Sequence, residues 1–200
     1  DSVQAGKTNK TEYYLADRKG FMLQLVKEIA KAERLHGLVE GDEQIGLNGS
    51  VVRYKKFAVR LNGTSDIPFE KIKIENGKNI FEMFPNVQFY DYTKNDVRFK
   101  KELPSNYHLT FSMSEDNKYK SFELLKAGAN VAMVFGVKKV TDLPSEYLGY
   151  KVINGDESDL RFLDEKNVIV GLKYKLMTGK GTAGVNKDNI ENNDFIINID

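Results

Sequence analysis

The sequence predicts an α/β fold, an incomplete or irregular parallel βα barrel, with an open doubly wound sheet as the alternative. Three observations carry this expectation. Short apolar strand candidates alternate with segments of helical spacing along most of the chain. The central candidates VAMVF (131–135) and VIVGL (168–172) are apolar on both faces, as strands covered on both sides are. The strand candidates also turn polar where they end, and parallel sheets place their ligands at the carboxyl ends of strands.

Taken in order, residues 16–36, ADRKGFMLQLVKEIAKAERLH, set Phe21, Leu25, Ile29 and Ala32 at helical spacing, with Asp17 placed to cap the helix start. Residues 37–50 hold four glycines and read as a loop or loose hairpin. Six strand candidates follow: KKFAVRLN ending near Asn62, VQFYDY near Tyr92, YHLTFS at Ser112, NVAMVFG near Gly136, YKVING near Gly155 and NVIVGLK at Lys173. Between them, residues 68–85, 95–104, 115–128 and 156–164 carry helical spacing or a helix start. The expected organisation is one α/β domain over residues 1–185, then a polar tail at 186–200 whose FIINI could add an edge strand.

Composition removes several function classes. Thirty basic residues against 29 acidic ones leave a net charge of +1, so no global field draws in nucleic acid or an acidic membrane. The absence of cysteine excludes disulfides, thiolate metal sites and a cysteine nucleophile within these residues. His36 and His108 are too few for a three-histidine metal site; His108 lies at a strand's start and reads as structural, His36 as a charge partner at a helix end. No apolar run reaches the roughly 18 residues of a membrane span, and the first residues lack a signal peptide's pattern, so no membrane partner is expected. GKGTAG (179–184) and AGKT (5–8) both lack the spacing of a phosphate loop, and no serine nucleophile elbow is present.

The candidate site residues are those at the strand ends. The first strand supplies Asn62, Thr64, Ser65 and Asp66; the second Asp91, Thr93 and Lys94; the third Ser112; the loop after the fifth Asp156, Asp159 and Arg161; the sixth Lys173. Asp66, Asp91 and Asp156 are the candidate acids and bases, or ligands for a divalent cation, the one cofactor these residues suggest. Lys173 is the candidate anion partner or nucleophile, because an ammonium at the end of an apolar strand needs a carboxylate or a bound anion. Local structure competes for several of these. Asp66 before Pro68 is a candidate cap, and Asp156 and Asp159 are candidate turn or cap residues.

The series RLNGTSDI, FPNVQFYDYTK, YHLTFS, GDESDLRF and VIVGLKYK resembles the gene product eighty-eight-like proteins of phages and plasmids, over most of residues 1–185. The resemblance implies a βα-barrel relative and a mobile-element origin; the lack of a membrane span or signal pattern adds the expectation of a place in the host cytoplasm. It also implies shared site positions at Asn62–Asp66 and at Tyr92–Lys94, while many relatives carry cysteines that this chain lacks. Two functions fit. One is an enzyme acting on a phosphorylated or nucleotide-like, small anionic substrate. The other is a noncatalytic protein that binds nucleic acid or a host protein through RYKK (53–56) or RFKK (98–101), basic runs that read equally as solvated surface.

Overall fold

The computed structural model describes residues 10–36, 44–45, 51–52, 57–63, 65–175 and 195–199. Thr64, the basic run 53–56, the GKT stretch and the GKGTAG loop lie outside the described residues. The chain is mixed α/β on a mostly parallel eight-stranded sheet. The strands are β3 (Ala58–Arg60), β4 (Gln88–Thr93), β5 (Tyr107–Ser112), β6 (Val131–Phe135), β7 (Glu146–Tyr147), β8 (Tyr150–Asn154), β9 (Ile169–Lys173) and β10 (Ile196–Ile197). Their order is β3-β4-β5-β6-β9-β8-β7, with β10 on β6. A separate antiparallel pair joins β1 (Gln44–Ile45), inside the 37–50 stretch expected as a loop or loose hairpin, to β2 (Val51–Val52) just after it.

Four helices complete the fold: α1 (residues 10–16), α2 (Arg18–His36), α3 (Ile80–Met83) and α4 (Lys118–Lys126). Asp17 stands between the first two, and its Oδ1 accepts the backbone N–H of Gly20 at 2.8 Å, the cap its position predicts. Of the expected helical connections, 95–104 and 156–164 hold only the short 3-10 helices Asp96–Lys100 and Arg161–Leu163, and 68–85 holds a 3-10 turn at Phe69–Lys71 followed by the four-residue α3. Each segment is too short in apolar repeats to extend a helix past one turn, which is where nucleation cost is not yet recovered.

Backbone contacts divide the chain into two compact units, Asp1–Asp91 with Lys101–His108, and Tyr92–Lys100 with Leu109–Asp200. In the first, Phe81 stacks on Tyr107 at 4.1 Å between ring centres and meets the edge of Phe89 at 5.0 Å. Helix α3 survives at four residues because Asn79 and Glu82 form a reciprocal capping box that satisfies two of its orphan donors.

The second unit is built on Phe111, Met113, Leu125, Val131, Met133, Phe135, Ile169 and Ile197, all buried. Here β9 pairs with β6 along Val131–Phe135, so one edge of β6 is fully used. The other edge is shared end to end: β5 pairs at Val131 and Ala132, and β10 at Val134 and Phe135. The FIINI segment therefore adds a short strand, β10, whose one strand partner among the described residues is β6. Ile196 and Ile197 are buried there, which is why a polar tail ends in apolar residues.

Candidate functional site

In the first unit the polar end of β3 is organised by Asn62. Its Oδ1 accepts the Ser65 hydroxyl at 2.8 Å and the Ile67 N–H at 2.9 Å, and its Nδ2 donates to the Ile67 carbonyl at 3.0 Å. One buried side chain thus replaces the backbone ladder that the chain gives up when it leaves the sheet. Asp91, on β4, holds Asn62 in turn. Asp91 Oδ1 accepts the Asn62 backbone N–H at 2.6 Å, and Oδ2 accepts Asn62 Nδ2 at 3.1 Å and the Tyr107 hydroxyl at 2.9 Å. Asp91 is 0% exposed, so three donors compensate the charge that burial would otherwise oppose. Ser65 is half-buried within this turn and Asp66 is exposed on it. The following 3-10 turn has Pro68 at its N-cap and no side-chain cap.

In the second unit, β8 and β9 run side by side in parallel and end together. Gly155 follows β8, and a Cβ there would lie 2.5 Å from Val170 Cγ1, so only glycine allows the loop to leave this close to β9. Asp156 then crosses to β9. Its Oδ2 accepts the Lys173 backbone N–H at 3.1 Å and its Oδ1 lies 3.5 Å from Lys175 Nζ. The carboxylate expected to compensate the Lys173 ammonium is thereby engaged with the Lys173 backbone and with Lys175. Among the described residues, no acceptor pairs with Lys173 Nζ.

The same loop continues to Arg161, which is only 1% exposed. Its Nη2 donates to the Ser158 carbonyl, and its Nε lies 3.3 Å from Asp164 Oδ2 without hydrogen-bond geometry. Arg161 Nη1 has no partner among the described residues. A buried guanidinium with an unused N–H group is costly. Burial pushes the Asp164 carboxyl up to about 6, against the opposing pull of Arg161.

Tyr92, at the end of β4, places its hydroxyl 3.4 Å from Asp159 Oδ1 in the loop after β8. Thr93 is buried, and its Oγ1 accepts the Asn95 N–H at 3.0 Å. Lys94 is exposed, with Nζ 6.0 Å from the centre of the Phe195 ring, at the outer limit of a cation–π contact. The Ser112 carbonyl accepts Asn117 Nδ2 at 3.0 Å, in the turn that leads into α4.

The structure thus brings Asn62, Ser65 and Asp91 together in one network, and Asp156 against Lys173 in another, with Arg161 further along the same loop. Thr93, Lys94 and Ser112 enter neither. Two participants go unnoticed in the sequence. Tyr107 opens β5 and reads as core, and its ring is core; only its hydroxyl reaches the carboxylate. Asp164 follows Arg161 at the i,i+3 spacing of an ion pair, a signal present in DLRFLD. Among the described residues no group of three or more histidine, aspartate or glutamate side chains is arranged to hold a metal ion. No helix of the described residues is long and apolar enough to cross a membrane.

The fold and its strand ends define a mixed α/β protein with polar clusters on a mostly parallel sheet. A family model described as Gene product 88 matches residues 1–189, and the chain belongs to that family of phage-type gene products. No curated protein and no solved structure matches the chain.

Proposed function

We propose that this phage-type protein binds a small phosphorylated or nucleotide-like anion at the ends of β8 and β9. The observation that carries the reading is Arg161, 1% exposed, with Nη1 lacking an acceptor among the described residues. Lys173 is the second donor: its backbone N–H is held by Asp156 and its ammonium has no acceptor among the described residues. Lys175, 3.5 Å from Asp156 Oδ1 and largely exposed, supplies a further positive charge at the same strand end. A phosphate ester suits this donor set, since its oxygens accept from a guanidinium and from ammonium groups at once.

In this reading Asp156 is a positioning residue that fixes the end of β9. Asp91, whose oxygens already accept three donors, belongs to the architecture of the first unit and not to an acid–base step. Asp66 remains an exposed carboxylate without an assigned step. Of the RFKK run, Arg98 is buried, which leaves only Lys100 and Lys101 on the surface and weakens the case for a nucleic-acid contact there.

The test is calorimetric titration of inorganic phosphate and of a nucleoside monophosphate into wild type, Lys173→Met and a Lys100→Met control. Losing one charge-assisted hydrogen bond should weaken binding about tenfold in Lys173→Met, with no change in the control. Equal affinities in all three proteins, or no saturable binding to wild type, would overturn the proposal.

A further inference from the structure

The chain contains four Asn-Gly steps, at 48–49, 62–63, 76–77 and 154–155, the first of which lies outside the described residues. Glycine after asparagine leaves the following backbone nitrogen unhindered. That nitrogen can then attack the asparagine Cγ, forming a new C–N bond while the Cγ–Nδ2 bond breaks and ammonia departs. Water opens the resulting succinimide at either carbonyl and leaves aspartate or isoaspartate. The balance needs only water, so the fold decides which step reacts.

At Asn62 the carboxamide is held. Nδ2 donates to the Ile67 carbonyl and to Asp91 Oδ2, Oδ1 accepts two further donors, and the residue is 3% exposed. At Asn154 the nucleophile is occupied instead: the Gly155 N–H donates to the Gly171 carbonyl at 2.8 Å, and Asn154 Oδ1 accepts the Asp156 N–H. Asn76 differs on every count. It and Gly77 are exposed, and among the described residues neither the Asn76 carboxamide nor the Gly77 N–H has a hydrogen-bond partner.

We infer that Asn76 is a site of spontaneous covalent modification by deamidation in the folded protein, with water as the co-reactant, and that Asn62 and Asn154 are protected by their hydrogen bonds. The turn is sensitive to the product. Asn76 and Gly77 both hold positive φ, 51° and 71°, and the bonds from Ile74 N–H to the Lys78 carbonyl and from Lys78 N–H to the Glu75 carbonyl fix a two-residue connection. Isoaspartate adds a backbone methylene to that connection, separated only by Lys78 from the Asn79 cap of α3. Isoaspartate at position 76 therefore disturbs the start of α3, whereas aspartate changes only a surface charge.

The test is peptide mapping of the intact chain after incubation at mildly alkaline pH, folded and in urea, with an isoaspartate-specific methyltransferase as the probe. In the folded protein, conversion at Asn76 should outpace Asn62 and Asn154 by roughly tenfold or more, the factor that about 1.4 kcal/mol of local opening would impose. In urea the three should react at similar rates. Conversion of Asn62 or Asn154 as fast as Asn76 in the folded protein, or an Asn76 that reacts only in urea, would overturn the inference. An Asn76→Asp variant that is as stable as wild type, beside a less stable isoaspartate fraction, would confirm the role of the added methylene; equal stability of both forms would refute it.

Discussion

The two polar clusters at strand ends place an aspartate carboxylate in opposite situations. In the first unit, Asn62, Asp91 and Tyr107 meet at 2.6 to 3.1 Å, and the carboxylate accepts three donors. In the second, buried Arg161 lies against half-buried Asp164, yet Arg161 Nε, Arg161 Nη1 and Asp164 Oδ2 make no hydrogen bond among the described residues. A closed network converts buried polarity into fixed loop geometry. An open one keeps unspent donors, and the proposed function assigns those to a phosphate.

The largest effect that would break this contrast is Asp91→Ala. It leaves two N–H groups of Asn62 and the Tyr107 hydroxyl buried without their acceptor, and should cost roughly 3 kcal/mol or more of stability in denaturant unfolding. A loss within the range of a surface substitution would mean that the network is not closed. Next comes Tyr107→Phe, which removes one of the three donors and keeps the stacked ring. A loss of about 1–2 kcal/mol is expected from equilibrium unfolding.

Asp164 sharpens the other side. Its folded-state carboxyl titrates at about 6 against an ordinary 3.8, so between these values the folded chain binds more protons than the unfolded one. Stability contributed by this group is therefore present at the acidic end, declines as pH rises through the window and is flat above about 6. Asp164→Asn should remove that decline, which a series of thermal melts across the window would show. The smallest effect on stability belongs to Lys173→Met, expected to unfold within about 0.5 kcal/mol of wild type because the stem's packing is kept and no ion pair is lost.

How much of this was legible in the sequence follows from the kind of signal involved. All six strands read from apolar runs appear where they were expected, and the imprint is continuous in the largely buried β6 and β9. The connections were less legible. NDVRFKK and DESDLRFLD each carry one turn of helical spacing, and one turn of spacing cannot distinguish a helix from a 3-10 turn. The short strand β7 was missed because two residues, Glu146 and Tyr147, are held by the turn into β8 and not by an apolar pattern.

At the strand ends the residue types were legible and their partners were not. RLNGTSDI shows a strand turning polar, but nothing in it names Asp91, 29 residues away, as the group that fixes Asn62. Lys173 likewise announces a charge in need of compensation, while the choice of Asp156 to bind its backbone and not its ammonium depends on how the loop leaves Gly155.

The most direct test of the contrast is a phosphate titration followed by NMR through the Arg161 guanidinium Nε–H and the backbone amides of Asn62 and Lys173. The account predicts saturable shifts at Arg161 and Lys173 with Asn62 unmoved. Shifts at Asn62 with none at Arg161, or no saturable shift at any of the three, would contradict it.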